Sequence, residues 1–346
     1  TDIDKPSDYF NTKLFTGNGS TNAITGVGFQ PDWIWFKNRT QAQSHAIVDS
    51  VRGRKGLQSN SSEAEYTLNS GRDFGTFDND GFTVLNPEQL NSFNYNNGSI
   101  VSWNWKAGTA VSGNTGGSGT AKAYSGSVNT DAGFSIVKYI GNGTAGHTIP
   151  HHLGAIPKMI MVKKNADAEW QVYHASIGNG NVLHLDTTSA VEDEANRWND
   201  TTPTSSVFAI GTSGNVNAND VRYIAYCFSE KQGYSKFGSY TGIGNANGAF
   251  VYTGFKPAWF LVKRSNGSAN WELYDNKRLG YNSANPPLYP DLSNAEGGSG
   301  RLDFLSNGVK MRAESGNLND SGGSYIYMAF ADQPLVTSTG VPATAR

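Results

Sequence analysis

Cysteine is almost missing from this chain of 346 residues: Cys227 is the only one, so no intrachain disulfide can form and stability has to come from packing. Charge is scarce as well. Asp, Glu, Lys and Arg make up 16% of the sequence, against about a quarter in an average soluble domain. The 27 basic and 29 acidic side chains leave a net charge of −2. Nucleic acid is therefore not an expected partner, because sequence-independent affinity for it needs a large positive field. No run approaches the roughly 20 consecutive apolar residues that cross a bilayer, so membrane insertion is not expected either. The opening TDIDKPSDYF lacks the basic-then-apolar plan of a signal peptide, and a start at Thr1 fits either loss of an initiator Met or a fragment. No phosphate-binding G-x-x-x-x-G-K-[ST] loop occurs.

What is abundant is glycine, 41 residues, and aromatic side chains: 17 Phe, 16 Tyr and 8 Trp. That composition reads as strands joined by many turns, with ample material for buried cores. Three segments repeat one order of signals. YFNTKLFTGNG (9–19), GFSIVKYIGNG (133–143) and YSKFGSYTGIG (234–244) are short aromatic-rich strands running into Gly/Asn turns. GFQPDWIWFK, GAIPKMIMVK and GFKPAWFLVK follow, each with a proline (Pro31, Pro157, Pro257) before an apolar run that ends in Lys37, Lys163 or Lys263. The proline sits where it can begin a strand without removing a hydrogen bond from its middle. LQSNSSEAE (57–65) and LYPDLSNAE (288–296) match, with LHLDTTSAVE (183–192) as the looser middle counterpart. Each copy closes on a strand whose alternate positions are apolar: Val101/Trp103/Trp105, Ile224/Tyr226/Phe228 and Ile326/Met328/Phe330, the pattern of a half-buried strand. The prolines lie 126 and 100 residues apart and the closing strands 123 and 102.

Units of about 100 residues with this texture predict an all-β protein of three tandem β-sandwich or jelly-roll-like domains related by internal repeat. The expected division is an N-terminal arm 1–8, repeats at 9–107, 133–232 and 233–334, a Gly/Ser/Thr-rich linker 108–132, and a C-terminal tail 335–346. The long linker predicts that unit one is placed independently, whereas Lys231-Gln232-Gly233 alone would hold units two and three as a rigid pair. FDNDGFTV (77–84) and FLSNGVKM (304–311) read as hairpins, and the one plausible helical turn is around SAVEDEANRW (189–198).

Candidate chemistry is weak. His147, His151, His152, His174 and His184 cluster in sequence, but GHTIPHHLGAIPK replaces segments that carry no histidine in the other copies, so the cluster reads as local variation in a turn; no metal site and no cofactor are expected. Glu63, Glu65 and Glu296, or Asp49 and Asp275 (each 18 residues after its proline), offer carboxylates of the kind glycoside hydrolysis requires. Their recurrence favours architecture, since a catalytic pair is needed once and a structural bond in every copy. FDNDGF has the flavour of a calcium loop without its later Glu. The remaining candidates are aromatic: Trp33, Trp35, Trp170, Trp198, Trp259 and Trp271 form either an inter-domain core or a ligand platform for sugars. Trp33 and Trp35 alternate with Ile34 and Phe36, so both faces of that strand are apolar.

The wording of KPSDYFNTKLFTGNGSTNAITGVGFQPDWIWFKNR, HAIVDSVRG, VSWNWKAG, FSIVKYIGNGTAGHTIPHHLGAIPKMIMVKK and SYIYMAFADQPLVTSTGVPATAR resembles virion-associated tail, fibre or head-surface proteins of tailed marine bacteriophages, over essentially the whole chain. The resemblance implies a non-enzymatic structural protein of the virion surface, assembled in the host cytoplasm and symmetric, most often as a homotrimer. Its partners would be other virion proteins, of the tail or the major head protein, and a host cell-surface glycan. The leading expectation is a tail or fibre component acting in host attachment. The alternative is a capsid decoration or cement protein, and a polysaccharide depolymerase is third.

Overall fold

A strand with two apolar faces has to be covered twice, and that requirement organises the molecule. In the computed structural model, which describes residues 1–279, 282 and 286–342, all six residues of the strand Trp33–Asn38 are buried. Ile34 and Phe36 face a core that belongs to unit one, with Ala46, Val48, Phe82 and Ile100. Trp33 and Trp35 face the other way, into a second core built by all three units. The proline strands Pro157–Lys164 and Phe255–Arg264 split alike: Ile160/Val162 and Phe260/Val262 into private cores, Met159/Met161 and Trp259/Leu261 into the shared one.

The chain is all-β, with 43% of residues in strands and 3% in helix. One strand order occurs three times: opening strand, closing strand, proline strand, short fourth strand. It runs Phe10–Thr16, Ser99–Trp105, Trp33–Asn38, Ala46–Asp49 in unit one; Phe134–Ile140, Arg222–Ser229, Pro157–Lys164, Gln171–His174 in unit two; and Ser235–Thr241, Ser324–Pro334, Phe255–Arg264, Glu272–Asp275 in unit three. All neighbours are antiparallel, and Trp33, Met159 and Trp259 pair with Trp105, Phe228 and Phe330 at the same register. A smaller outer sheet closes each private core, with Gly81–Val84, His147–Pro150 and Gly308–Met311 as its central strands. The expected hairpins form, Phe74–Asp78 with Gly81–Val84 and Leu302–Leu305 with Gly308–Met311. The helical turn appears as Ala195–Trp198; a second, Gly214–Asn217 capped by Ser213, carries no sequence signal strong enough to announce it.

Three expectations are corrected. The closing strands are not half-buried: Ser102 and Asn104, opposite Val101 and Trp103, are 0% exposed, because the private core covers that face. The segment expected as a linker, 108–132, is structured. Thr109–Asn114 pairs with Ala123–Asn129, which pairs with the opening strand Phe134–Ile140 of unit two, and Gly116–Gly117 extends the outer sheet. Backbone hydrogen bonds do not depend on side-chain bulk, and Tyr124 and Val128 anchor this addition in the private core of unit two. Glycine is required there by close approach, since a Cβ on Gly126 would lie 2.3 Å from the Ile136 carbonyl oxygen. Unit one is not independent either, because Trp33, Trp35, Trp103 and Trp105 sit in the shared core beside Tyr226, Phe228, Trp259 and Phe330.

The arm 1–8 is docked: Ile3 joins the shared core, and the Asp2 N–H donates to the Gln232 carbonyl (3.0 Å). Of the tail 335–346, residues 343–346 lie outside the described residues.

Candidate functional site

The centre of the molecule is aromatic. Phe330 of unit three has ring centroids of Phe10 at 5.2 Å and Trp105 at 5.6 Å from unit one, Phe228 at 6.1 Å from unit two, and Trp259 at 5.8 Å from its own unit. Trp33 lies 4.4 Å from Trp105 and 4.8 Å from Tyr226. All six tryptophans considered as a sugar platform are inside: Trp33, Trp35, Trp170 and Trp259 are 0% exposed, Trp198 and Trp271 1%. The platform reading is thereby corrected, since a ring must present a free face to stack on a sugar. Five of the six belong to the shared core and Trp198 to the private core of unit two.

Around this centre the three recurring loops act as clasps. Residues 57–65 of unit one reach unit two, 183–192 of unit two reach unit three, and 288–296 of unit three return to unit one. The joints recur at equivalent positions. Glu65 N–H donates to Asn165 O (3.3 Å), Val191 N–H to Ser265 O (2.8 Å) and Glu296 N–H to Arg39 O (2.8 Å). The ammonium of Lys163 donates to Ser62 O (3.2 Å), that of Lys263 to Thr188 O (3.0 Å) and that of Lys37 to Ser293 O (3.1 Å). The indole N–H of Trp170 donates to Gln58 O (2.9 Å) and that of Trp271 to His184 O (2.8 Å); His45, at the same place in unit one, instead accepts from the Trp35 indole N–H of its own unit (2.8 Å). A chain of contacts from one to two, two to three and three to one is a closed ring.

The lysines recur in the sequence as strand ends, but their role as joints depends on which loop lies opposite. Burial lowers all three ammonium groups to about 8, still charged at neutral pH. Each donates to carbonyl oxygens and forms no ion pair with a carboxylate among the described residues, while Asp186 and Asp167 near Lys163 and Asp291 near Lys263 also favour the charge.

Asp49, Asp275, Glu296 and His174 add further bonds between units, whereas Glu63, His147, His151, His152 and His184 are met within their own unit. Asp49 accepts from Arg52 Nε (2.6 Å) and from the Tyr226 hydroxyl of unit two (2.7 Å). Asp275 accepts from Arg278 Nε (2.7 Å) and from the Trp103 indole of unit one (3.1 Å). His174 is buried, its Nε2 donates to the Tyr327 carbonyl of unit three (3.1 Å), and burial pulls it down to about 4, so it is neutral. Glu296 pairs with Arg39, while Glu63 is met by Gln58 Nε2 at 3.2 Å. His147 meets Asn217, His151 the Thr204 carbonyl and His152 the Tyr124 hydroxyl. His184 meets the Trp170 carbonyl. Among the described residues no three His, Cys, Asp or Glu side chains converge as metal ligands, and no helix is long and apolar enough to cross a membrane.

One feature of the ring is not shared by its three parts. A small cleft of about 70 Å³ opens between units one and two, lined by a group of cations that the recurring sequence pattern does not mark.

No curated protein and no solved structure matches the chain. A family match covers residues 5–334, spanning all three units, the intervening strands and the second half of the docked arm. The chain belongs to the family described as a domain of unknown function, DUF7483.

Proposed function

We propose that this is a non-enzymatic structural protein of a bacteriophage virion surface, built from one sandwich used three times, and that it works as a capsid decoration or cement protein. The observation that carries the reading is the closed ring of three units on one core. A single chain of this kind offers three similar outer surfaces, which suits a three-fold environment of a head shell without a homotrimer. Burial of Trp33, Trp35, Trp170, Trp198, Trp259 and Trp271 removes the aromatic surface that favoured a glycan-reading tail or fibre component. The recurrent carboxylates are engaged as joints, which supports the non-enzymatic reading over a depolymerase. The partner is then the major head protein, and the location the outside of the particle.

Quantitative mass spectrometry of purified virions tests this. A head-shell protein is present at on the order of hundreds of copies per particle, with antibody label over the whole head. A few to some dozens of copies with label confined to the tail would overturn the reading in favour of host attachment.

A further inference from the structure

The three-part ring supplies its own control: what the architecture needs occurs in every unit, so a feature present at only one of three equivalent places is not needed by the fold. The cleft between units one and two is such a feature. Unit two contributes Lys138, Lys163, Lys164 and Arg222, and unit one contributes Arg52 and Lys55. Glu65 is the single lining carboxylate. In a chain of net charge −2, six cations against one anion is a strong local departure.

Register identifies which of these are extra. Lys163 is the joint lysine found in every unit. Lys138 pairs with Ile224, and at that register unit one has Leu14 and unit three Ser239. Arg222 pairs with Ile140, where the other units have Ser99 and Ser324. Lys164 corresponds to Asn38 and Arg264, and Arg264 is paired with Asp320 at 2.8 Å. Among the described residues the side chains of Lys138, Lys164 and Arg222 make no hydrogen bond or ion pair.

The wall of the cleft holds a second signal. The side chain of Arg52 is 4% exposed, fixed through Nε to Asp49, yet its buried Nη1 has no hydrogen-bond partner and faces Glu65 only at 3.6 Å. Its counterpart Arg278 uses Nη1 on the Pro286 carbonyl (2.9 Å). The Nη1 N–H therefore makes no hydrogen bond although Glu65 lies beside it, and it is a donor on the cleft wall that an oxyanion could engage.

We propose that this cleft is a binding site for a compact multivalent oxyanion, a sulfate or phosphate group, either free or carried as an ester on a saccharide. Three unpaired cations in a concave, part-buried setting focus the field on one spot. The guanidinium groups of Arg52 and Arg222 match the geometry of tetrahedral oxyanions, while the lysines act as point charges. The inference does not depend on the virion role proposed above.

The test is titration calorimetry on the full chain in low-salt buffer with inorganic sulfate, inorganic phosphate and a sulfated oligosaccharide. One saturable, salt-sensitive site is expected. In the double variant Lys138→Leu, Arg222→Ser, which installs the residues unit one carries at the same register, affinity falls at least about tenfold. Glu65→Gln, which removes the one competing carboxylate, tightens binding and guards against a folding defect in the double variant. Oligosaccharide binding more than about tenfold tighter than sulfate assigns the group to a glycan; equal binding assigns the free ion. Absence of saturable binding of all three probes up to roughly 10 mM, or unchanged affinity in both variants, would overturn the proposal.

Discussion

Replacing Phe330 by Ala separates one shared core from three sandwiches on a string. The ring is 1% exposed and lies within 5.2–6.1 Å of Phe10, Trp105, Phe228 and Trp259. Truncating a buried Phe costs about 3–5 kcal/mol, and each well-placed aromatic pair adds about 0.5–1.5 kcal/mol beyond area burial, so the upper half of that range is expected. With an unfolding entropy of roughly 2.1 cal/mol/K per residue over the whole chain acting as one unit, the melting temperature falls by about 5–7 °C. Differential scanning calorimetry should show a single transition before and after the change. Hydrogen exchange read by mass spectrometry should show residues 9–107, 133–232 and 233–334 losing protection together. If protection falls in 233–334 alone while the other two segments keep wild-type values, the single-core reasoning is wrong.

Other expectations follow from the joints and edges. Burial holds the folded-state lysines 37, 163 and 263 near 8 instead of 10.5; between those values the unfolded chain binds more protons, so stability rises as pH is raised from 8 toward 9.5. Urea midpoints at the two pH values measure that rise, and Lys263→Met removes about a third of it. Gly126→Ala places a Cβ against the Ile136 carbonyl, so exchange protection drops across 109–129 while the main transition shifts by no more than about 2 kcal/mol. Cys227 is fully buried and its thiol is pushed up to about 12. It reacts with a thiol reagent at the rate of unfolding, not at the rate of a free thiol.

Much of the fold was legible in the chain because period-2 alternation and turn residues are local signals. Gly and Asn at the turns, proline at the strand start and apolar alternation at Val101/Trp103/Trp105 and its counterparts named an all-β protein and marked the units. The two apolar faces of Trp33-Ile34-Trp35-Phe36 even announced that something would cover the strand twice. What covered it was not local information. Glycine-, serine- and threonine-rich residues 108–132 look like a tether until an unpaired sheet edge of unit two is beside them, because an edge recruits backbone and reads no side chain. The loops at 57–65, 183–192 and 288–296 were visible as recurring words, and the lysines as recurring strand ends. That each lysine donates into a loop of the neighbouring unit follows only from closure of the ring.

The candidate site divides in the same way. Recurrence pointed to shared bonds for Asp49, Asp275 and Glu296, each of which makes a bond between units, but composition could not tell an exposed tryptophan from a buried one, and all six proposed platform residues went inside. Lys138, Lys164 and Arg222 carry no signal in the sequence alone, and they stand out only once register shows which residues they replace in the other copies. Sequence by itself determined the strand class and the residues its recurring segments have in common, since those depend on neighbours along the chain. Tertiary structure decided how the units join, which face of each strand is shared and where unpaired charge collects, since those depend on residues some hundred positions apart meeting across one core.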